Sequence, residues 1–213
     1  MMKLYYLVSL ATFGTLVHAD HTFNFVNRCS YTIDPIIANT NCGYSPRCNT
    51  PNSGGAGVPL PAISFHGGQP GQIAKGQSKT VHINRQWNGR IFNQNGHCGA
   101  AGEKCTMAEF NLDTGNAFTA QHSFCTIPCL VACTDIYLYS SVRSWQAYDI
   151  SNIQGFTQSM SIAVGGCDTV TCTNVNCGCH NAYKPGDLSG CGNDSPVRGC
   201  SPGDKSWTIT FCP

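Results

Sequence analysis

Apolar and polar residues take turns along much of this chain. In CTMAEFNL (105–112), Ala108, Phe110 and Leu112 fall on one side of an extended strand, and Met107, Glu109 and Asn111 on the other. The same alternation, or a run of β-branched and aromatic residues, marks TFNFVNRC (22–29), KTVHIN (79–84), GRIFNQ (89–94), DIYLYS (135–140), TQSMSIAV (157–164) and SWTITFC (206–212). Gly, Pro and Asn punctuate the gaps, and no long capped stretch of 3.6-residue period appears. The pattern predicts an all-β sandwich of short strands.

Two regions break the rhythm. Residues 42–76 are rich in Gly and Pro and read as a long surface loop, with Cys42 and Cys48 spaced to staple its base. Residues 165–200 carry six cysteines among turn residues and read as a cross-linked appendage ordered by its disulfides rather than by a core.

The N-terminus changes the compartment. Lys3, an apolar run over 4–17 and the ending Val17-His18-Ala19 form a secretory signal peptide, residues 1–19, leaving 20–213 as one expected domain. The fifteen cysteines all follow it, which in a secreted chain reads as a disulfide framework with one thiol left over. No later stretch has the roughly 18 apolar residues that a membrane helix needs. Twelve Lys and Arg stand against eleven Asp and Glu, and Lys3 departs with the signal peptide. Without a basic run or stripe, nucleic acid and anionic membrane are excluded as partners.

Several stretches, in order, resemble the thaumatin-like proteins: TFNFVNRCSYTI, GQSKTVHI followed by NGRIF, MAEF, YDISNIQGF with SMSI after it, CDTVTC, and the ending CSPGDKSWTITFCP. The resemblance implies a flattened β-sandwich beside a disulfide-rich loop region, with a cleft between them. It implies a secreted, monomeric protein of host defence or wall remodelling that binds β-1,3-glucan, in some members with weak hydrolysis. Carried over by motif, the cleft residues are Arg90, Glu109 and Asp149. Gln154 stands where the family has another Asp, and Asn181 stands in a stretch where Asp is usual, so the cleft is expected to be less acidic than the family norm. Cys29 and Cys212, which end the first and last strands, are expected to bridge; Cys98 and Cys105 close a small loop, and the family order of cysteines pairs Cys167 with Cys200. An insert between MAEF and YDIS, containing Cys125, Cys129 and Cys133, departs from the family pattern, as does the Gly/Pro loop.

The chain has only two glutamates, Glu103 and Glu109, which draws attention to the one placed mid-strand. Glu109 and Asp149 form a candidate pair that binds sugar hydroxyls or, with one carboxyl protonated, supplies acid and base for glycoside hydrolysis. Read without the resemblance, both are solvated strand residues with Arg90 as a surface partner worth about 0–1 kcal/mol. Phe92, Tyr137, Tyr139, Trp145 and Phe156 are candidate stacking surfaces, whereas Tyr148 alternates away from Asp149 and reads as buried.

Other chemistries find no support. HSFCTIPCLVAC (122–133) has cysteines at helical spacing near a histidine, but in so cysteine-dense a secreted chain disulfides are the better use, and no metal or cofactor is expected. Cys177 and Cys179, separated by one glycine, should take separate partners. No nucleophile elbow or P-loop spacing is present, and the histidines sit in plain contexts. Asn193 heads a glycosylation sequon with Pro196 behind it. The chain therefore reads as a wall-polysaccharide binder, with hydrolysis by Glu109 and Asp149 left open. The alternative is a secreted, non-enzymatic effector or inhibitor whose inserts bind a protein.

Overall fold

A computed structural model describes residues 20–39, 64–113, 146–187, 189, 191 and 196–213. The strand expected at 135–140, the cysteines of both inserts and the Asn193 sequon lie outside the described residues. Ten strands are described: β1 (His21–Asn27), β2 (Pro35–Asn39), β3 (Ser78–Ile83), β4 (Asn88–Asn93), β5 (Met107–Asn111), β6 (Gln146–Ser151), β7 (Met160–Val164), β8 (Val170–Cys172), β9 (Arg198–Cys200) and β10 (Ser206–Phe211). They form two five-stranded sheets, ordered β3-β1-β10-β7-β8 and β2-β4-β5-β6-β9. The fold is the all-β sandwich that the alternation predicts.

β1 shows why alternation is enough to place a strand. His21, Phe23, Phe25 and Asn27 are buried while the residues between them are half-buried. Its neighbour β10 runs parallel, with Phe23 opposite Trp207 and Phe25 opposite Ile209. The first and last described strands thus lie side by side, and Cys29 is bonded to Cys212 just beyond their C-terminal ends.

Aromatic rings join the two sheets. Trp207 of the first sheet stacks on Phe23 at 5.9 Å and meets Phe110 and Tyr148 of the second edge-on, at 5.4 and 5.0 Å. Such pairs contribute about 0.5–1.5 kcal/mol each beyond their buried area. Trp87 extends the cluster through Phe23 and Phe110.

β2 is an edge strand that begins at a proline, where the missing N–H costs no ladder bond. Side-chain amides close its free edge: Gln69 accepts from the Ile37 N–H and donates to the Ile37 carbonyl, and Asn39 exchanges the same two bonds with the backbone of Phe65.

The second sheet corrects the one-faced reading of CTMAEFNL. Ala108, Phe110 and Leu112 do lie in the core between the sheets, but Met107 and Asn111 on the other face are buried as well, and all six residues of β6 are buried. Part of the cover comes from the loop closed by the Cys98–Cys105 disulfide. There Gly102, at φ +87°, lies so close to the outer face that an added Cβ would stand 2.8 Å from both Met107 Sδ and Phe92 Cδ1. Glu109 alone of β5 keeps contact with solvent.

The cysteine-rich tail is not an appendage. Its β8 extends the first sheet beside β7, and its β9 extends the second beside β6. Val170, Cys172, Ala182 and Cys200 belong to the main core. Cys167 is bonded to Cys200, Cys172 to Cys177, and Cys179 to Cys191, so Cys177 and Cys179 have separate partners.

Candidate functional site

Three neighbouring strands of the second sheet carry one charged residue each, in register. Arg90 on β4 lies opposite Glu109 on β5, and Glu109 lies opposite Asp149 on β6. Cross-strand partners have Cβ atoms about 4.5–5.5 Å apart, so the three side chains form a continuous row on the outer face. Gly89 sets the first of them: a Cβ there would stand 2.1 Å from the Trp87 indole and 2.5 Å from the Ala38 carbonyl. Only glycine lets β4 pass so close to β2 with the indole folded over it.

The row grades from paired to occluded. Arg90 Nε donates to Glu109 Oε1 at 2.7 Å, with the arginine side chain 10% and the glutamate 25% exposed. Asp149 is 8% exposed, and its Oδ1 is buried without a hydrogen-bond partner among the described residues. Burial first, and the charge of Glu109 second, push the Asp149 carboxyl well above the usual carboxylate range, against the pull of Arg90. The row therefore holds its most exposed member, Glu109, in the middle, paired with Arg90 on one side and flanked on the other by a buried carboxyl whose proton is held more tightly than usual. Because burial leads among the causes, the absence of a third carboxylate at position 154 does not release that proton.

The remaining candidates divide. Gln154 lies beyond the end of β6, in the turn at 152–155, and is half-buried. Asn181 precedes Tyr183, which forms a parallel bridge beside Ser151 at the end of β6. Of the aromatic candidates, Phe92 is fully buried and Phe156 packs partly buried against the core, so neither offers a stacking face at the row; Tyr137, Tyr139 and Trp145 lie outside the described residues. Tyr148 is buried, donates to the Asp168 carbonyl, and has its phenol pushed up to about 12, by burial and then by Asp168.

Cys179, Asp187 and Cys191 are the one group among the described residues with metal-ligand spacing, yet the two sulfurs are bonded to each other. A disulfide has no thiolate to offer, so the trio is not a metal centre. One histidine proves less plain than its sequence context: His21 is wholly buried and lies 3.2 Å from Asp113. Two hollows are also formed by separated segments that no local motif announces, one of about 410 Å³ around Tyr31 and Asp34 and one of about 470 Å³ around Val175 and Lys184.

No family model matches this sequence. Thaumatin-like protein 1 of Pyrus pyrifolia is 25% identical over 208 residues, spanning 93% of this chain and 73% of that protein. Over nearly its whole length the chain is thus similar to a thaumatin-like protein. Its motifs stand in family order on a two-sheet framework whose terminal strands are locked by Cys29–Cys212. Solved structures show more distant likenesses. A thaumatin-like xylanase inhibitor, TLXI, is 15% identical with a TM-score of 0.48, over 90% of this chain and 99% of its own. The protein elicitor MoHrip2 from Magnaporthe oryzae is 13% identical with a TM-score of 0.40, over 91% and 99%. Scores this low assign no activity.

Proposed function

We propose that this protein acts outside the cell as a monomer that binds wall polysaccharide, β-1,3-glucan above all, and does not hydrolyse it. The grading of the charged row carries the reading. Glu109, the most exposed of the three, presents carboxylate oxygens that accept hydrogen bonds from sugar hydroxyls, and Arg90 holds it in place. Asp149 has the raised pKa that a general acid needs but not the access. A general acid has to reach the leaving oxygen, at about 2.6–3.2 Å or through one water, and Asp149 is enclosed.

The test is retention of the mature protein on insoluble β-1,3-glucan, chitin and cellulose, with soluble sugar release measured in parallel. Retention on glucan without sugar release is the expected result. Rapid release that Glu109→Gln abolishes would make the row catalytic. Retention on none of the three would return the protein to the alternative of a secreted effector or inhibitor directed at a protein.

A further inference from the structure

We propose a second saccharide subsite, separate from the Arg90–Glu109–Asp149 row, in the hollow lined by Tyr31, Asp34, Gln72 and Asn95. Its volume of about 410 Å³ falls within the range of small-molecule sites, roughly 300–1,000 Å³. The row at Glu109 plays no part in the argument, which rests on how the walls are held and on which groups are left over.

The walls are fixed by bonds that the ligand would not have to make. Ile33 and Ile73 exchange both backbone hydrogen bonds, at 3.0 and 2.8 Å, joining the two sides of the hollow. Buried Asn93 accepts from the Asp34 N–H at 2.7 Å and donates to Gln158 at 2.8 Å, while the Asp34 carbonyl accepts from the Gln94 N–H. Tyr31 is held at both ends: its carbonyl accepts from Asn27 Nδ2 at 2.8 Å, and its hydroxyl donates to Gln158 Oε1 at 3.3 Å. Yet the residue is 48% exposed, one of two large hydrophobic residues left exposed among those described. A ring anchored at both ends and still half in water is a pre-organised platform.

The unused groups set the ligand class. Asp34 is spent through its backbone only, and its carboxylate enters no hydrogen bond or ion pair among the described residues. Gln72 is exposed, and Asn95 accepts from the His97 N–H while its Nδ2 makes no hydrogen bond among the described residues. An aromatic face beside one carboxylate and two primary amides matches a pyranose, which shows a CH face to the ring and hydroxyls that both donate and accept. No Lys or Arg lines the hollow, so the ligand is a neutral sugar unit rather than an anion.

The experiment titrates the mature, disulfide-intact protein with β-1,3-gluco-oligosaccharides, and in separate arms with xylo-, cello- and chito-oligosaccharides. It follows the Tyr31 ring and the Gln72 and Asn95 side-chain amides by NMR. At least one series should shift these signals saturably. Tyr31→Ala should weaken that binding roughly fivefold, the size expected of one aromatic contact. Asp34→Ala, at a side chain without partners, should weaken it to a similar degree with the fold intact, and Glu109→Gln should leave it unchanged. Absence of saturable shifts with all four series overturns the subsite. So does binding that survives both Tyr31→Ala and Asp34→Ala. Shifts at this hollow that vanish in Glu109→Gln would show one site rather than two, whereas failure of glucan binding at Glu109 alone leaves these signals untouched.

Discussion

Asp113 Oδ2 lies 3.2 Å from His21 Nε2, with the side chains 2% and 0% exposed. Arg85 Nε donates to the same oxygen at 3.2 Å, and Gln146 Nε2 to the other at 3.3 Å. His21 Nδ1 accepts the Lys205 N–H, so its ring proton sits on Nε2, facing Asp113. One carboxylate, just beyond β5, thus ties together β1, the segment between β3 and β4, and β6.

This cluster predicts an acid-labile contribution to stability. Burial raises the Asp113 pKa, but hydrogen bonds from His21, Gln146 and Arg85 outweigh it and leave the carboxyl below its ordinary 3.8. A carboxyl that binds its proton less tightly when folded adds stability above that ordinary value, and loses it as the pH falls through the folded value. Asp113→Asn should cost about 1–3 kcal/mol at pH 7 and less at pH 3, by urea unfolding with the disulfides intact. An equal cost at both pH values would contradict it.

Asp149 predicts the opposite sign. Its pKa is raised in the folded protein, by burial and then by Glu109, so above the ordinary 3.8 the native state holds a proton, or bears a buried charge, that unfolding relieves. Asp149→Asn keeps the shape and removes that burden. The variant should melt at a higher temperature than the wild type at pH 7, with the difference closing as the pH falls toward 4. No gain at neutral pH would mean that the aspartate is better solvated than its 8% exposure indicates.

Glu109→Gln should weaken glucan binding about tenfold, the equivalent of about 1.4 kcal/mol for one charge-assisted hydrogen bond. Neither protein should release soluble sugar. Because Glu109 is partly exposed and the exchange is nearly isosteric, circular dichroism should be unchanged, and a folded variant with full affinity would remove Glu109 from the site.

The Cys29–Cys212 bond closes a loop with a sequence separation of 183. Replacing both cysteines by alanine should cost about 2–5 kcal/mol, chiefly by freeing the unfolded chain. Hydrogen exchange should then show β1 and β10 opening earlier than in the wild type, since the two strands lose the link beyond their shared end. Unchanged protection there would show that the Phe23–Trp207 and Phe25–Ile209 registers hold the strands without it.

Strands whose residue types alternate or run to β-branched and aromatic side chains were legible: β1, β3, β5, β7 and β10 all lie within the predicted segments or within a residue of them. β4 too was found, starting one residue early. β2, β8 and β9 were not. The first is five residues that begin at a proline, and the other two are three residues each, too short for a period to show. β6, QAYDIS, mixes polar and apolar residues on both faces because both faces are covered.

The sequence by itself determined the class of fold, since alternating strands with two aromatic-rich ends can hide their apolar faces only by stacking as sheets. It also named Arg90, Glu109 and Asp149 through their motifs. Tertiary structure alone decided that these three stand in one row, because register depends on pairing between segments that are far apart in the chain. It alone decided which carboxyl is closed off, because the cover over the outer face comes from elsewhere in the chain, and solvent access rather than residue type sets where a carboxyl keeps its proton.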